Sequence, residues 1–304
     1  MIRDFRVEEI RKTIEEGYGV SVHSLKALNG HAHSFNFRAE TSEGMAFVVK
    51  CFPAARTELL GRLLAHTTPS HAPLAATRIF GGKVFDVGGW KVMALKWIPG
   101  SARAPDELSD RELDSFLAAY ERFLSGLSDD GAVMSVRDGL VLKRTLKARF
   151  QGGNVSEILR ELDDMPDGSL TLVPGSRRII HGDLHKGNFR FVDGAVSGFF
   201  DLEELRFGTP AEDLVRYVVC CEERRRWYDL PGRRRLLNAF RRILAKTSYP
   251  RAEWMFAVNG CLLRKLAKKV KSNRLSIWRR INLHARLGFY RALRKAIEGE
   301  VENA

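Results

Sequence analysis

The run HGDLHKGN at residues 181–188, with Asp201 following Asn188 after thirteen positions, constrains the fold of this chain more than any other feature. Short apolar segments surround the run. They lie at 178–180, 189–192 and 196–200. Each has the length and composition of a β-strand, and the Asp193-Gly194 pair between the last two is typical of a tight turn. The polar side chains are therefore predicted on a loop and at a strand end, where neighbouring elements direct them toward one point.

The residue types in this run suit phosphoryl transfer. Asp183 can accept the proton of a substrate hydroxyl, and Asn188 and Asp201 offer oxygen atoms that can hold Mg²⁺ against nucleotide phosphates. A histidine and an aspartate two positions apart occur by chance, but the full run followed by an apolar strand and a second aspartate is specific. The alternative, a buried loop whose polar groups only satisfy the backbone, is less favoured.

The run and Asp201 resemble the catalytic loop and metal-binding aspartate of the aminoglycoside phosphotransferase and choline kinase family, whose fold is similar to that of protein kinases. Protein kinases have HRDxxxxN and DFG at these places, whereas this chain has Gly182 in place of arginine and Leu202-Glu203 in place of Phe-Gly. Both differences are typical of small-molecule kinases. The resemblance covers residues 7–220.

This resemblance implies an α+β, two-lobed fold. A small antiparallel sheet would form an N-terminal nucleotide-binding lobe over 1–98, and a larger, mainly helical lobe over 99–304 would hold the catalytic and substrate-binding residues. The local patterns agree. A helix is predicted over 7–16 and later helices over 110–127, 140–150 and 155–162. Strands are predicted at 20–28, 35–39, 45–52, 76–80 and 90–98.

In the smaller lobe, the resemblance implies contacts with ATP. Lys50 would bind the α- and β-phosphates, although a surface lysine at a strand edge is the alternative. Glu58 is the first carboxylate after Lys50 and is therefore its default partner. Ser34, at the end of the 29–34 loop, would contact phosphate. Backbone groups near Leu95, Lys96 and Trp97 would bind the adenine.

The larger lobe carries further roles that the resemblance implies. His181 would anchor the catalytic loop through hydrogen bonds, and His185 would contact the γ-phosphate. Asp213 would begin a helix and brace the loop, where an acidic residue is also favoured by the helix dipole. Glu203 and Glu204 follow the metal-binding aspartate directly. They would either bind an amine on the substrate or face solvent.

The cysteines and the lengths of the apolar segments argue against disulfide-rich, zinc-binding and transmembrane classes of protein. The four cysteines lie among apolar residues and form no CxxC pair, so they are expected to be core residues rather than zinc ligands or disulfides. The N-terminus is charged, unlike a signal peptide. No stretch approaches 18 apolar residues, so no transmembrane helix is expected. A cytoplasmic location is predicted.

The positive charge is concentrated near the C-terminus. Residues 222–304 contain 22 Lys/Arg and 7 Asp/Glu, a balance of +15. The whole chain has a net charge of +13, so residues 1–221 balance at −2. The pattern in this region predicts basic amphipathic helices. These form either a solvated face or a surface for an anionic partner, which would be an acidic substrate, an anionic membrane surface or nucleic acid. A membrane partner would make the protein peripheral to the membrane.

The sequence thus predicts an enzyme that moves the γ-phosphoryl group of ATP, with Mg²⁺, to a hydroxyl of a small metabolite. A sugar or amino alcohol is favoured over a polycationic aminoglycoside because of the basic C-terminal region. Two alternatives stay open: a kinase of an anionic glycolipid or lipopolysaccharide sugar at the membrane surface, and a catalytically silent kinase-like binding protein. A protein kinase is disfavoured, since DFG is absent.

Overall fold

The computed structural model of the 304-residue chain describes residues 7–28, 34–56, 61, 74–127, 138–151, 153–172, 175–269 and 275–299. A five-stranded antiparallel sheet near the N-terminus is followed by a larger, mainly helical part. The predicted α+β fold class is therefore confirmed. The chain divides into two compact units. Unit 1 lies within 1–101, 118–132 and 189–203, and unit 2 within 102–117, 133–188 and 204–304.

Unit 1 is built on the sheet. Helix α1 precedes the strands, and the sheet order is β1-β2-β3-β5-β4 with antiparallel neighbours. The bounds are α1 (Val7–Tyr18), β1 (Val22–Ala27), β2 (Phe35–Thr41), β3 (Ala46–Pro53), β4 (Val84–Val87) and β5 (Trp90–Lys96). Alternation decides which face of β2 is buried, since Phe37 and Ala39 enter the core with Ile10 and Ile14 of α1. Strand β3 is central and carries Lys50.

A hairpin of β7 (Phe189–Val192) and β8 (Ala195–Phe199) completes unit 1. Asp193 and Gly194 both have positive φ, at 50° and 77°, which is the conformation that a type I′ turn requires. The predicted Asp-Gly turn is confirmed. Phe199 at the end of β8 packs against the ring of Phe123. This aromatic packing fixes the strand end from which the chain continues to Asp201.

The strand predicted over 76–80 is wrong. The structure has only isolated bridges at Ala75 and Arg78 in this stretch, followed by a 3₁₀ turn at Phe80–Gly82. Phe80, Gly81 and Gly82 have φ of 53°, 69° and 71°, and a strand cannot continue through such left-handed residues. The extended conformation resumes at Val84, where β4 begins.

Unit 2 is mainly helical, with one two-stranded sheet. Its sheet pairs β6 (Arg178–Ile180) with β9 (Arg206–Gly208). Helix α2 (Asp110–Ser125) begins in unit 2 and ends in unit 1. The other helices are α3 (Gly139–Phe150), α4 (Ser156–Asp163), α5 (Pro210–Glu222), α6 (Leu230–Lys246), α7 (Arg251–Lys269) and α8 (Ile277–Glu298). No helix among the described residues is long and apolar enough to cross a membrane.

Helix α5 forms the centre of unit 2 and packs on α6 and α7. Eleven of its thirteen residues are buried, and Arg216 and Cys220 are the two that are not. Pro210 stands at its first position, and Thr209 and Glu212 form a capping box, which satisfies backbone N–H groups of the first turn. The first turn of α5 is therefore a fixed platform for the residues that it carries.

The cysteines have the core character that the sequence predicts. Cys51, Cys221 and Cys261 are buried, and Cys220 is partly exposed. Burial raises the pKa of the Cys51 and Cys221 thiols to about 12. A thiol that keeps its proton at neutral pH is a poor nucleophile, so these side chains act as packing groups.

Candidate active site

A buried lysine in unit 1 is bound by two carboxylates. Lys50 on β3 lies 2.9 Å from Asp201 Oδ1 and 2.5 Å from Glu203 Oε1. Asp201 follows β8, and Glu203 lies in the 3₁₀ turn that comes next. The three side chains therefore meet because the hairpin of β7 and β8 brings this segment to the central strand of the sheet.

The electrostatics of this cluster favour a charged lysine. Burial alone would lower the pKa of Lys50, but the Asp201 and Glu203 carboxylates outweigh that effect, and the pKa is raised. Below its unfolded pKa, Lys50 thus contributes to stability, and this contribution is lost only as the pH rises through the higher folded value. These three side chains comprise one cation and two carboxylates, a formal balance of −1.

The backbone at Asp201 has an uncommon conformation. Its φ is 65°, in the left-handed region where aspartate and asparagine occur more often than other residues with a β-carbon. The side chain is 31% exposed, so it is bound by Lys50 yet open to solvent. A carboxylate in this position can accept a further cation.

The loop at 181–188 in unit 2, which is the predicted catalytic loop, is held by a buried aspartate. The carboxylate of Asp213 accepts the backbone N–H groups of His181 at 2.7 Å and Gly182 at 2.9 Å. Asp213 is fully buried in the first turn of α5, where the helix dipole favours a negative charge. Because both amides belong to the start of the loop, this single side chain fixes how the chain leaves β6. This is the geometry that the predicted bracing role requires.

Glycine is required at position 182. Its φ is 76°, and a β-carbon there would collide with the backbone carbonyl of Glu204. The departure from the arginine of protein kinases thus has a local cause, since only glycine permits both the left-handed backbone and the close approach. His181, beside it, is fully buried.

Asn188 closes the other end of the loop. Its backbone N–H donates to the His185 carbonyl at 2.9 Å, and its side-chain Nδ2 donates to the Asp183 carbonyl at 3.0 Å. With the nitrogen used in this way, the amide oxygen is the atom suited to a metal ion. The Gly187 N–H donates to His185 Nδ1 at 2.9 Å. Neutral His185 therefore carries its proton on Nε2, which lies 3.8 Å from Asp183 Oδ2.

Asp183 is paired with an arginine that the sequence reasoning missed. The guanidinium of Arg216, on α5, donates to Asp183 Oδ1, and Arg216 is 27% exposed. A signal for this residue was available. Arg216 is the sole charged residue within 214–221 and stands three positions after Asp213, so it lies near Asp213 on the helix surface. It therefore reaches the loop that Asp213 holds.

Further ion pairs secure the start of α5. Glu212 binds Arg206 through two hydrogen bonds of 3.1 and 2.8 Å, and Arg264 of α7 lies 3.1 Å from the same carboxylate. Burial alone would raise the pKa of Glu212, but Arg206 and Arg264 outweigh it, and the pKa is lowered. Thr209 donates to Glu253 in the same region. The platform under the catalytic loop is thus held by charges at neutral pH.

The backbone segment that is predicted to bind adenine has only part of its hydrogen-bonding groups available for a ligand. Leu95 and Lys96 lie in β5, and the Lys96 N–H donates to the Thr77 carbonyl at 2.8 Å. Contacts to adenine would therefore fall to other backbone groups of the segment. The Trp97 ring is covered by the guanidinium of Arg38, 4.8 Å from the ring centre.

The remaining predicted residues are placed as follows. Ser34 is buried in unit 1, whereas residues 29–33 and Glu58 lie outside the described residues. Glu203 binds Lys50, and Glu204 is exposed. Asp201 belongs to unit 1 and Asn188 to unit 2. The metal site that these two residues would share stays a prediction.

The family model that matches this chain describes a phosphotransferase enzyme family (APH), and it matches residues 24–254. No protein of curated function matches the chain in sequence.

Solved structures are similar to the chain over nearly all of its length. The GDP complex of aminoglycoside 2′-phosphotransferase-IIIa is 14% identical with a TM-score of 0.59, covering 94% of this chain and 99% of that one. Spectinomycin phosphotransferase APH(9)-Ia with ADP and spectinomycin is 10% identical with a TM-score of 0.64, covering 97% of each. Macrolide 2′-phosphotransferase MphH from Brachybacterium faecium is 16% identical with a TM-score of 0.57, covering 98% of each. At these identities the likeness establishes a common fold.

Proposed function

This chain belongs to the phosphotransferase enzyme family, and from that premise we propose that it moves the γ-phosphoryl group of ATP, with Mg²⁺, to a hydroxyl of a small metabolite. The observation that carries the proposal is the buried Lys50, joined to Asp201 at 2.9 Å. A fixed cation beside an accessible carboxylate is what a nucleotide phosphate and its metal ion need from a protein.

The residues present fit the nucleotide and its metal. Lys50, Asp201 and Glu203 have a formal balance of −1, and the Asp201 side chain is partly exposed. Carboxylate and amide oxygens are suitable ligands for Mg²⁺. Asp201 and Asn188 would hold the ion. When bound, the ion supplies positive charge against the phosphate oxygens.

The chain's own side chains have separable tasks in this proposal. Lys50 donates hydrogen bonds to the α- and β-phosphates, and Glu203 keeps it charged and in place. Asp183 orients the acceptor hydroxyl and accepts its proton. Arg216 holds the Asp183 carboxylate in one orientation, and Asp213 holds the loop. No covalent intermediate is required, since positioning and charge stabilisation carry most of the rate.

The charges around Asp183 bear on the acceptor. Arg216 binds Asp183, and Lys186 lies on the same loop, so this part of the site is unfavourable for a polycation. The proteins of similar structure named above include enzymes for aminoglycosides, a macrolide and spectinomycin. A hydroxylated compound of low positive charge, such as a sugar or an amino alcohol, is our first choice. A cytoplasmic location supplies the ATP.

The test is Mg²⁺-dependent ATP consumption with pools of amino alcohols, sugars, aminoglycosides and solubilised glycolipids. We expect one pool to raise turnover and Asp183→Asn to lower it about 10³-fold. Asp193→Asn is the matched control, because it makes the same change in the β7–β8 turn, where asparagine also tolerates positive φ. If no pool raises ATP consumption and MgATP does not stabilise the protein, the enzyme proposal fails, and a kinase-like binding protein becomes the better interpretation.

A further inference from the structure

The structure divides the basic residues of the C-terminal region into two groups. Many are used inside unit 2: Arg233 binds Glu222 at 2.6 Å, Arg225 binds Asp106 at 2.6 Å, and Arg242 binds Asp110 at 2.9 Å. These arginines tie separate segments of unit 2 together. They are therefore unavailable to an outside partner, and only a smaller set of cations can form a binding surface.

A groove of about 1440 Å³ lies in unit 2 between the start of α6 and α8. Its walls come from the 227–237 segment and from 277–292, with Glu157 of α4 at one side. The lining is mainly apolar and aromatic. We call this feature, with the exposed Trp278 beside it, the aromatic groove.

The aromatic groove concentrates exposed apolar side chains. Among the described residues, five of the nine exposed large hydrophobic side chains lie at 227–230 and 277–278, and they are 39 to 69% exposed. They are Trp227, Tyr228, Leu230, Ile277 and Trp278. Single exposed apolar residues are ordinary, but a cluster of this kind marks an interaction surface.

Exposed cations border the same groove. Arg234 and Arg280 line it and are exposed, and no carboxylate pairs with either within the part of the chain that the structure describes. The acidic residue among its lining side chains, Glu157, is bound by His284 at 2.7 Å and by Arg291 at 3.4 Å. This surface therefore has both apolar side chains that can insert into a partner and exposed arginines that can bind an anionic one.

This combination selects among possible partners. Nucleic-acid bases stack on aromatic rings but gain little from the exposed aliphatic side chains Leu230 and Ile277. A second copy meeting the same surface would bring arginines against arginines. Tryptophan, tyrosine and aliphatic side chains beside free arginines suit the boundary of a bilayer with anionic headgroups.

We propose that the aromatic groove docks this protein on an anionic phospholipid bilayer. Helix α5 connects the groove to the catalytic loop. Asp213 in its first turn holds the loop, and Glu222, nine residues later, binds Arg233 in the groove wall. Nine helical residues span about 13 Å. Docking would therefore hold the catalytic loop near the membrane surface. The surface proposal does not depend on which acceptor is phosphorylated.

The test is cosedimentation of the full chain with vesicles of phosphatidylcholine alone or mixed with phosphatidylglycerol, at low and high salt. We expect binding to the anionic vesicles only, weakened by salt. Ile277→Ser with Trp278→Ser should lower the partition coefficient at least about tenfold through lost apolar contact. Arg234→Gln with Arg280→Gln should lower it about 25-fold, at roughly fivefold per charge.

Matched controls keep this test specific. Val141→Ser removes an exposed apolar residue of α3, and Arg241→Gln with Lys268→Gln removes two charges from other positions on α6 and α7. Neither should change vesicle binding more than threefold. Equal binding to neutral vesicles, no binding at low salt, or equal losses in the controls would overturn the proposal. The proposal would also be overturned if the groove variants abolished binding of a single-stranded oligonucleotide while vesicle binding persisted. The same holds if they abolished a dimer seen by sedimentation velocity while vesicle binding persisted.

Discussion

The two charge clusters that carry the proposed chemistry are built in opposite ways. In unit 1, a buried cation, Lys50, is bound by the carboxylates of Asp201 and Glu203. In unit 2, a buried carboxylate, Asp213, binds two backbone amides, and the accessible Asp183 is paired with Arg216. The first cluster has a surplus negative charge, whereas the pair of Asp183 and Arg216 is balanced.

This difference separates two kinds of task. A surplus negative charge suits a cluster that must still accept a metal ion, because the ion completes its charge balance. A balanced pair on a braced loop suits a group that must meet a neutral hydroxyl. Substitutions in unit 1 should therefore act mainly through charge and nucleotide binding, and substitutions in unit 2 through loop geometry.

Within unit 1, the largest effect is expected from Lys50→Met, which removes the cation. We expect kcat/KM to fall about 10²- to 10³-fold, since one fixed group that stabilises the developing charge is lost. Lys91→Met is the control, because Lys91 also binds a carboxylate, Asp86, in the same sheet. Steady-state kinetics with ATP varied measures both. Equal behaviour of the two variants would remove Lys50 from the nucleotide site.

A substitution of Glu203 tests whether this residue supports Lys50 or binds the substrate. If Glu203 supports Lys50, Glu203→Gln should raise the KM for ATP several-fold and leave the KM for the acceptor nearly unchanged. The sequence alone also allowed Glu203 to bind a substrate amine. That role would reverse the pattern, raising the KM for the acceptor with little change for ATP.

An effect on stability rather than on rate is expected from Asp213→Ala in unit 2. The buried N–H of His181 and the part-buried N–H of Gly182 would lose their acceptor, which should lower the free energy of unfolding by about 3 kcal/mol. Asp229→Ala is the control. Asp229 accepts the Gly232 N–H at the start of α6 in a more exposed setting, where a lost cap costs about 1 kcal/mol. Urea unfolding compares them, and equal losses would contradict the bracing role.

The sequence predicted well what local patterns decide. The strands on both sides of the catalytic loop follow from short apolar runs, and the Asp193-Gly194 turn follows from its residue pair. The strand at 76–80 failed because Phe80 adopts a positive φ of 53°, which no apolar pattern signals. Gly182 was noticed as a departure from protein kinases, but its cause, the carbonyl of Glu204, is visible only in the folded chain.

Contacts between distant parts of the sequence were harder to predict. Glu58 was chosen as the partner of Lys50 because it is near in sequence, and it lies outside the described residues. The structure shows Glu203 on Lys50, which depends on how the β7–β8 hairpin is placed in unit 1. Helical periodicity alone could have predicted that Arg216 lies near the loop, since it stands three positions after Asp213.

The prediction that decides what the balanced pair does concerns Arg216→Ala. If Arg216 only orients Asp183, kcat should fall about tenfold, as for a group that positions a general base, with the KM for the acceptor unchanged. Arg216→Lys should recover part of the rate, because it keeps the charge but loses the planar donor geometry. Arg241→Ala, on α6, is the control for losing an arginine. A higher kcat in Arg216→Ala would mean that the ion pair blocks Asp183 in the free enzyme. A raised KM for the acceptor at constant kcat would instead place Arg216 against the substrate.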